Sequence, residues 1–152
     1  MVKEGTAAPA FKTTDANGET VSLKDFRDKR VVLYFYPKDD TPGCTKEACS
    51  FRDAFSKFKK QGITILGVSP DSEKSHQKFV AKYKLPFTLL ADTDHSIADA
   101  YGVYGEKKFM GRTYMGIHRT TFLIDEKGKI KKVFEKVKPE DHADEVLGAF
   151  SR

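Results

Sequence analysis

The sequence predicts an α/β fold in which a mixed β-sheet carries helices on both faces. Two observations lead to this prediction. Short β-branched and aromatic runs alternate with helix-like stretches along most of the chain, and a second hairpin and a final helix follow them. The 152 residues contain no repeat, low-complexity tract or linker, so we expect one domain that spans residues 1–152.

The predicted strands are apolar runs bounded by turn residues. The turn Asp15–Gly18 indicates an N-terminal β-hairpin, because its Asn-Gly step readily adopts positive φ. Residues 31–36 show no polar alternation, which is typical of a strand buried on both faces. In chain order, the predicted strands are Phe11–Thr14, Thr20–Leu23, Val31–Tyr36, Ile63–Val68, Phe87–Leu90, Arg119–Asp125 and Ile130–Phe134.

The predicted helices follow from apolar spacing and from residues that start or stop helices. Apolar residues at spacings of 4, 3, 4 and 3 between Cys44 and Phe58 indicate one helix, which Gly62 ends. Proline near the start of a run favours a helix there, because its missing N–H has no partner in the first turn. The further predicted helices are 70–83, 96–101 and a terminal helix that begins at Pro139.

Composition excludes several classes of protein. A hydrophobic fraction of 39% with 12 Phe and 6 Tyr is enough for a packed core, and no apolar run approaches the roughly 18 residues of a membrane span. The N-terminus lacks the apolar stretch of a secretory signal, and we expect a cytoplasmic protein. The net charge of +5 is a mild excess, and without a binding motif it does not predict a nucleic-acid partner. A basic cluster that we interpret as a solvated face contains Lys129, Lys131, Lys132, Lys136 and Lys138.

The two cysteines of the chain, Cys44 and Cys49, lie five residues apart. A cross-link over so short a separation removes little entropy from the unfolded chain. Two cysteines are also too few for a disulfide scaffold. The pair is therefore predicted to be chemical rather than structural.

Cys44 is predicted to lie in the first turn of a helix. Thr41 is a good N-cap and Pro42 then occupies the first helical position. The backbone N–H groups of a first turn have no intrahelical partner and form the positive end of the helix dipole. Both effects favour a thiolate over a thiol at this position.

Ionisation alone does not make a fast thiol enzyme. Converting an ordinary thiol, roughly 3% ionised at neutral pH, to a mostly ionised one gains about 30-fold in thiolate. Oriented donors that stabilise charge developing on a substrate can add about 10²–10³ each. Thr41, the free helix amides and a cation are the candidates for this role.

The helix geometry also constrains Cys49. Residues five apart in a helix are separated by about 7.5 Å along the axis and about 140° around it. Their side chains are too divergent for a disulfide. If Cys44 and Cys49 bond to each other, the first turns of this helix must unwind.

The residues around Cys44 resemble the active-site motif of the peroxiredoxins. Pro37, Thr41 and Cys44 match the pattern Pro-x₃-Thr-x₂-Cys, and Cys49 follows five residues later, as in the bacterioferritin comigratory protein / peroxiredoxin Q subfamily. The similarity extends through most of the chain. Further matching stretches are residues 87–92, 101–107 and 116–125.

This resemblance implies a thioredoxin-like fold and thiol-dependent peroxidase activity toward hydrogen peroxide and organic hydroperoxides. It assigns Cys44 as the peroxidatic cysteine, which becomes a sulfenic acid, and Cys49 as the resolving cysteine, which forms an intramolecular disulfide with it. Thr41 would hydrogen-bond the peroxide, Pro37 would shield the sulfur and Arg119 would supply the cation. Thioredoxin or a similar dithiol protein would reduce the disulfide in this antioxidant cycle.

The resemblance further implies that no metal or organic cofactor is needed, and it favours a monomer. One turn after Cys44, Glu47 either orients Arg119 or is solvated, and we favour a supporting role. The loop 105–113 superficially resembles a phosphate-binding loop, but its glycine spacing is wrong and no Gly-Lys-Ser/Thr follows. We expect Phe109 and Met110 to line the site or a partner surface instead.

Other interpretations of the two cysteines remain open. Inert buried thiols are one, and a zinc site is another, although no His-x₃₋₅-His pair is present to complete it. A general thiol–disulfide oxidoreductase would be expected to carry Cys-x₂-Cys rather than Cys-x₄-Cys. A peroxide sensor would need the same two thiols as a peroxidase, so the residues alone do not separate sensing from catalysis.

Overall fold

The computed structural model describes residues 1–135 and 137–150, so Lys136 of the predicted basic cluster lies outside the described residues. Seven strands form the central sheet: β1 (Lys12–Asp15), β2 (Thr20–Ser22), β3 (Arg30–Phe35), β4 (Ile63–Ser69), β5 (Thr88–Ala91), β8 (Thr120–Ile124) and β9 (Ile130–Phe134). Two more, β6 (Tyr104–Phe109) and β7 (Arg112–Ile117), pair with each other alone. The α-helices are α1 (Pro42–Asp53), α2 (Phe55–Lys60), α3 (Glu73–Tyr83), α4 (Ser96–Tyr101) and α5 (His142–Phe150).

The sheet is mixed, as the sequence predicts. Its order is β2-β1-β5-β4-β3-β8-β9, with β3 parallel to β4 and β4 parallel to β5. The β1–β2 hairpin is confirmed and pairs antiparallel with β5, and β8 pairs antiparallel with β3. The carboxyl ends of β3 and β4 therefore meet at one edge of the sheet, where loops leading to α1 and α3 lie side by side.

Alternate residues of β3 serve two cores, one on each face of the sheet. Val32 and Tyr34 pack on the face that is covered by α1, α3 and α5. Val31, Leu33 and Phe35 pack on the opposite face, against the buried side chains of α4. The continuous apolar run in the sequence is explained by this burial on both sides.

The structure differs from the prediction at several element ends. The helix predicted from Cys44 to Phe58 is divided at Ala54, which has φ −97° and ψ 2°. Alanine favours helices, so this break is set by packing: Phe51 and Phe58 lie on either side of it in the same core, with ring centroids 5.8 Å apart. The terminal helix begins at His142 rather than at Pro139.

The largest difference is the β6–β7 hairpin: the sequence predicts a loop over residues 105–113, and the structure has two paired strands there. Phe109 and Met110 lie at its turn and are 66% and 87% exposed, and their role at the site or on a partner surface stays a prediction. Neither face of this hairpin is consistently buried. It therefore lacks the apolar alternation from which strands are predicted.

None of the helices in the described ranges is long and apolar enough to cross a membrane.

Gly67 in β4 gives a test of how tightly the sheet packs against the α1 face. A Cβ at this position would lie 2.8 Å from Leu89 Cδ2 and 2.9 Å from the ring and hydroxyl of Tyr34. We expect Gly67→Ala to lower the free energy of unfolding by about 1–3 kcal/mol, because these buried side chains must move. Urea denaturation of the reduced protein measures the change.

The control is Gly105→Ala in β6, where the nearest heavy atom would be 3.5 Å away. Its free energy of unfolding should stay within about 0.5 kcal/mol of the wild type. Equal stabilities of the two variants would show that β4 has more room than the structure indicates.

Candidate active site

The candidate site begins where β3 ends and the chain turns into α1. Pro42 occupies the first helical position and Thr41 is the preceding N-cap residue, with extended φ −102° and ψ 156°. Cys44 is consequently in the first turn, as predicted, and is only 1% exposed. Its sulfur lies at the end of the helix where backbone N–H groups lack intrahelical partners.

The side chain of Thr41 does not cap the helix in the way the sequence suggests. Its Oγ1 donates a hydrogen bond to the carbonyl oxygen of Lys38, 2.8 Å away, and makes no hydrogen bond to a helix amide. The hydroxyl group therefore donates its hydrogen bond within the loop. The oxygen keeps lone pairs with which it can accept a hydrogen bond.

Arg119 connects Cys44 to Glu47. Its Nη2 lies 3.2 Å from the sulfur of Cys44, and its Nη1 donates a 2.6 Å hydrogen bond to Glu47 Oε1. Arg119 stands just before β8, whose Thr120 pairs with Phe35 at the end of β3. This register brings the guanidinium to the start of α1.

The close approach of Arg119 depends on the small residue beside Cys44. A Cβ on Gly43 would lie 3.2 Å from Nη2 of Arg119. That distance is tighter than ordinary van der Waals contact, so a larger residue would press on the guanidinium. Glycine at this position leaves room for the arginine.

Glu47 is fully buried, which excludes the solvated alternative. Burial raises its pKa to about 7, although the charge and hydrogen bond of Arg119 act in the opposite direction. The other oxygen, Oε2, makes no hydrogen bond within the described residues. The carboxyl group is thus held by the arginine alone and titrates near neutral pH.

The pKa of Arg119 is also subject to two opposite effects, burial and neighbouring charge. Burial lowers its pKa, but the neighbouring Glu47 and Cys44 outweigh burial, and the net effect raises the pKa. The guanidinium therefore stays charged between two groups that can each carry a negative charge. A cation is permanently placed against the sulfur.

Cys49 lies one and a half turns further along α1 and is half-buried. Both cysteines are free thiols, and the helix is continuous from Pro42 to Asp53. The structure thus presents the reduced form. Because the two side chains diverge around the helix, a bond between them requires local unwinding.

The remaining predicted residue, Pro37, is half-buried in the loop between β3 and α1. The structure therefore brings Cys44, Glu47 and Arg119 into direct contact and places Pro37 and Thr41 on the loop that leads to them. His118, beside Arg119 in sequence, is exposed and faces the carbonyl oxygen of Glu106.

Lys107 is a site neighbour that sequence reasoning missed. Its Nζ donates to the carbonyl oxygen of Ile117, 2.9 Å away, and burial lowers its pKa, with a further decrease from Arg119. It helps to line a surface pocket of about 530 Å³ that also includes Arg119. Lys107 lies within the matching stretch 101–107, but the sequence predicts a loop there and indicates no role for this side chain.

A second group that was missed is polar and lies next to the loop before α1. Oxygen and nitrogen atoms of Asp39, Asp71 and His76 lie within 4.8 Å of one another. Neither cysteine belongs to this group, and its ligand-type atoms are engaged in hydrogen bonds with the protein. The helical spacing could have identified His76 as an inward-facing residue. It lies three residues before Phe79 and seven before Tyr83, on the inward face of α3.

Comparison with known proteins extends over nearly the whole chain. The AhpC/TSA family model matches residues 5–133. The putative peroxiredoxin Bcp of Coxiella burnetii is 54% identical over 147 residues, which cover 97% of each chain. Peroxiredoxin Bcp of Escherichia coli (strain K12) is 50% identical over 146 residues, covering 96% of this chain and 94% of the relative.

A solved structure gives the same result. The bacterioferritin comigratory protein of Xanthomonas campestris, studied for its alkyl peroxide reduction activity, matches this structure with a TM-score of 0.91. The two are 38% identical, and the match covers 98% of each chain. The mixed α/β architecture with its central sheet is thus the thioredoxin-like fold of these relatives.

The raised pKa of Glu47 predicts a specific dependence of stability on pH. Between about pH 4.5 and 7 the folded protein holds a proton on Glu47 that the unfolded chain has lost, so this residue's contribution to stability falls as pH rises. From pH 5 to pH 8, we expect the wild type to lose about 2 kcal/mol more unfolding free energy than Glu47→Gln, which cannot ionise. Urea denaturation of both reduced proteins across this range measures the difference. Parallel pH profiles would mean that Glu47 is already ionised in the folded protein at pH 5.

Proposed function

The chain belongs to the AhpC/TSA family and is a peroxiredoxin, a thiol-dependent peroxidase, and from that premise we propose that Cys44 is its peroxidatic cysteine and Cys49 its resolving cysteine. The observation that carries this proposal is the 3.2 Å contact between Arg119 Nη2 and the sulfur of Cys44 in the first turn of α1. A cation and free helix amides at one sulfur favour its ionised, nucleophilic form.

The first step is attack of the Cys44 thiolate on one oxygen of a hydroperoxide. A sulfur–oxygen bond forms, the O–O bond breaks, and the leaving oxygen takes a proton and departs as water or an alcohol. The sulfur is oxidised to a sulfenic acid and the peroxide is reduced. Negative charge develops on the leaving oxygen, so donors fixed near it lower the barrier.

Arg119 and Thr41 have complementary parts in this step. The guanidinium donates and carries positive charge, so it stabilises the leaving oxygen. The Thr41 hydroxyl already donates its hydrogen bond to the carbonyl oxygen of Lys38, so it accepts the hydrogen bond of the peroxide O–H and orients the substrate. Pro37 shields the sulfur from water, and Glu47 fixes the guanidinium from the buried side.

The second step joins the two cysteines. The Cys49 thiol attacks the Cys44 sulfenic acid, a disulfide forms and water leaves. The continuous helix between Pro42 and Asp53 prevents this bond, so the first turns of α1 must unwind before it can form. Oxidation is therefore coupled to a local loss of helix.

A dithiol protein, with thioredoxin as the proposed partner, completes the cycle. Its two thiols reduce the disulfide by exchange and are themselves oxidised to a disulfide. Neither a metal nor an organic cofactor takes part in these steps. The substrates we propose are hydrogen peroxide and organic hydroperoxides, the latter supported by the alkyl peroxide reduction activity of the Xanthomonas campestris relative.

Several broader features belong to the same proposal. One sheet joins strands from residue 12 to residue 134, which supports a single domain. A monomeric state, a cytoplasmic location and the absence of a nucleic-acid partner stay predictions from the sequence. None of these three predictions enters the catalytic steps described above.

A peroxide sensor and a general thiol–disulfide oxidoreductase are the alternatives. A sensor is oxidised once per molecule, whereas a peroxidase turns over continuously with NADPH, thioredoxin reductase, thioredoxin and peroxide. Insulin reduction without peroxide would identify an oxidoreductase. The arginine against Cys44 favours the peroxidase, because disulfide exchange has no oxygen leaving group to stabilise.

Substitution of each cysteine separates their roles. Cys44→Ser should consume no peroxide in the coupled NADPH assay, because the nucleophile is lost. Cys49→Ser should consume about one equivalent of peroxide without reductant, since attack needs only Cys44, and dimedone should then label Cys44. Continued turnover of Cys44→Ser, or the absence of a dimedone adduct, would overturn the assignment.

The coupling between oxidation and helix unwinding is also measurable. Hydrogen exchange of the amides across residues 44–51 should become at least about tenfold faster after one equivalent of peroxide forms the disulfide, because an intact helix excludes that bond. The amides of α3, which contains neither cysteine, serve as the internal reference. Unchanged protection across residues 44–51 in the oxidised protein would rule out unwinding.

A further inference from the structure

A buried polar cluster, separate from the proposed reacting residues, holds the loop that leads into α1. We refer to it as the Asp39 clamp. Asp39 is 7% exposed and His76 is fully buried. The members of the Asp39 clamp are Tyr36, Asp39, Ser69, Asp71, Ser75 and His76.

Asp39 accepts a hydrogen bond from each of three side chains. Its Oδ1 accepts from the Tyr36 hydroxyl at 2.6 Å, and its Oδ2 lies 2.8 Å from Ser75 Oγ and 2.7 Å from His76 Nδ1. Burial raises the pKa of Tyr36, so this phenol keeps its proton and donates. A carboxylate is the form of Asp39 that accepts all three bonds.

The backbone of Asp39 is held as firmly as its side chain. Its N–H donates to Asp71 Oδ2 at 2.8 Å, and the same oxygen accepts from Ser69 Oγ at 2.6 Å. Asp71 therefore fixes the main chain of the loop against the end of β4.

Both ring nitrogens of His76 face acceptors. Nδ1 faces the Asp39 carboxylate, and Nε2 lies 2.9 Å from the carbonyl oxygen of Leu90, which can only accept. One hydrogen between Nδ1 and the Asp39 carboxyl group and one on Nε2 satisfy both contacts. The imidazole ring is therefore held at both nitrogens, by Asp39 on one side and by the backbone of β5 on the other.

We propose that the buried, hydrogen-bonded Asp39–His76 pair is a positioning device for the peroxidase reaction: it holds the loop between β3 and α1 so that the cysteine at the start of the helix stays in its peroxide-reactive arrangement. This inference rests on the proposed role of Cys44. Asp39 and His76 touch no reacting atom and act through the loop.

The loop transmits this constraint through two short connections. Lys38, next to Asp39, offers the carbonyl oxygen that accepts from Thr41 Oγ1, so the clamp determines where the peroxide-orienting hydroxyl points. On the other side of Asp39, Asp40 adopts a left-handed conformation with φ +56°. That turn directs the chain into Thr41 and the first residue of α1.

The clamp does not depend on α1 for its contacts. Ser69 ends β4, Asp71 lies in the β4–α3 loop, and Ser75 and His76 belong to α3. When α1 unwinds to form the disulfide, these partners can remain in place. The Asp39 clamp therefore gives the unwound segment a fixed point from which to refold.

The test separates peroxide attack from disulfide formation. Stopped-flow measurement with hydrogen peroxide gives the rate of Cys44 attack, and the rate of disulfide formation is followed in the same chain. In Asp39→Asn, which removes the charge at constant shape, we expect attack to slow about tenfold or more because Thr41 and Cys44 lose their alignment. Disulfide formation should keep the wild-type rate, since the clamp contacts lie outside α1 and are the same before and after it unwinds.

Asp40→Asn is the matched control. It is the next residue, undergoes the same chemical change, and tolerates the left-handed backbone as asparagine. Asp40 is exposed and pairs with Lys82 and Tyr83 at the surface. Its attack rate should remain within about twofold of the wild type, as expected for an exposed ion pair.

Two further measurements keep the proposal testable if Asp39→Asn folds poorly. His76→Gln should show the same slower attack. In the unaltered protein, ¹⁵N correlation spectra should show a slowly exchanging hydrogen on Nε2 of His76, because this nitrogen is buried against the carbonyl oxygen of Leu90. A rapidly exchanging Nε2 hydrogen would show that the ring is not held in this way and would contradict the proposal.

The outcomes also distinguish this inference from the proposed function. If Asp39→Asn and Asp40→Asn both attack peroxide as fast as the wild type, the positioning role is wrong while the peroxidase assignment stands. If both rates of Asp39→Asn fall together, the clamp is a general structural element, and this too contradicts the proposal. If the wild-type Cys44 does not react with peroxide, the proposed function itself fails.

Discussion

The contact of one guanidinium with a sulfur on one side and a buried carboxyl group on the other is the interaction on which the site depends. Arg119 holds Cys44 and Glu47 through separate nitrogens, so neither contact competes with the other. Removing Arg119 would leave the buried Glu47 carboxyl group without a hydrogen-bond partner among the described residues, which is costly in a protein interior. The burial that raises the pKa of Glu47 to about 7 also strengthens the field that Arg119 exerts on the sulfur.

In the proposed cycle, the same helix has to satisfy two opposite requirements. Peroxide attack needs α1 intact, because the first turn supplies its N–H groups to Cys44, whereas bonding to Cys49 needs that turn undone. The structure divides the two functions along the helix. Further from Cys44, Ser50 Oγ accepts from the backbone N–H of Ala143 in α5 at 3.2 Å, and Phe51 packs edge-on against His142. These contacts anchor the second half of α1, so the half that must unwind is the half that α5 holds less firmly.

The reactive turn of α1 is instead positioned from outside the helix, by two elements that lie on either side of it. The β8 strand places Arg119, and the β4–α3 connection holds Asp39 through Asp71 and His76. Groups fixed by a rigid sheet need little reorganisation when charge develops on the substrate. In the proposed cycle, the unwinding segment can therefore return to the same geometry, because its partners belong to parts of the fold that the cycle leaves in place.

The sequence by itself determined the type and order of most elements and the position of Cys44 at a helix start. These depend on local periodicity and on residues such as Pro42, whose effect extends over a few neighbours. Tertiary structure alone decided which residues from distant parts of the chain surround the sulfur. Arg119 and Glu47 are 72 residues apart in the chain, and only the pairing of β8 with β3 brings them together. The family resemblance named Arg119, and the position of Glu47 one turn after Cys44 made it a candidate, but neither indicated that Glu47 would be buried. The clamp on Asp39 and the β6–β7 hairpin were missed for related reasons, since the first joins residues 37 positions apart and the second has no buried face to produce a pattern. Local sequence encodes how a segment prefers to fold, whereas contacts between distant segments exist only once the sheet has set their register.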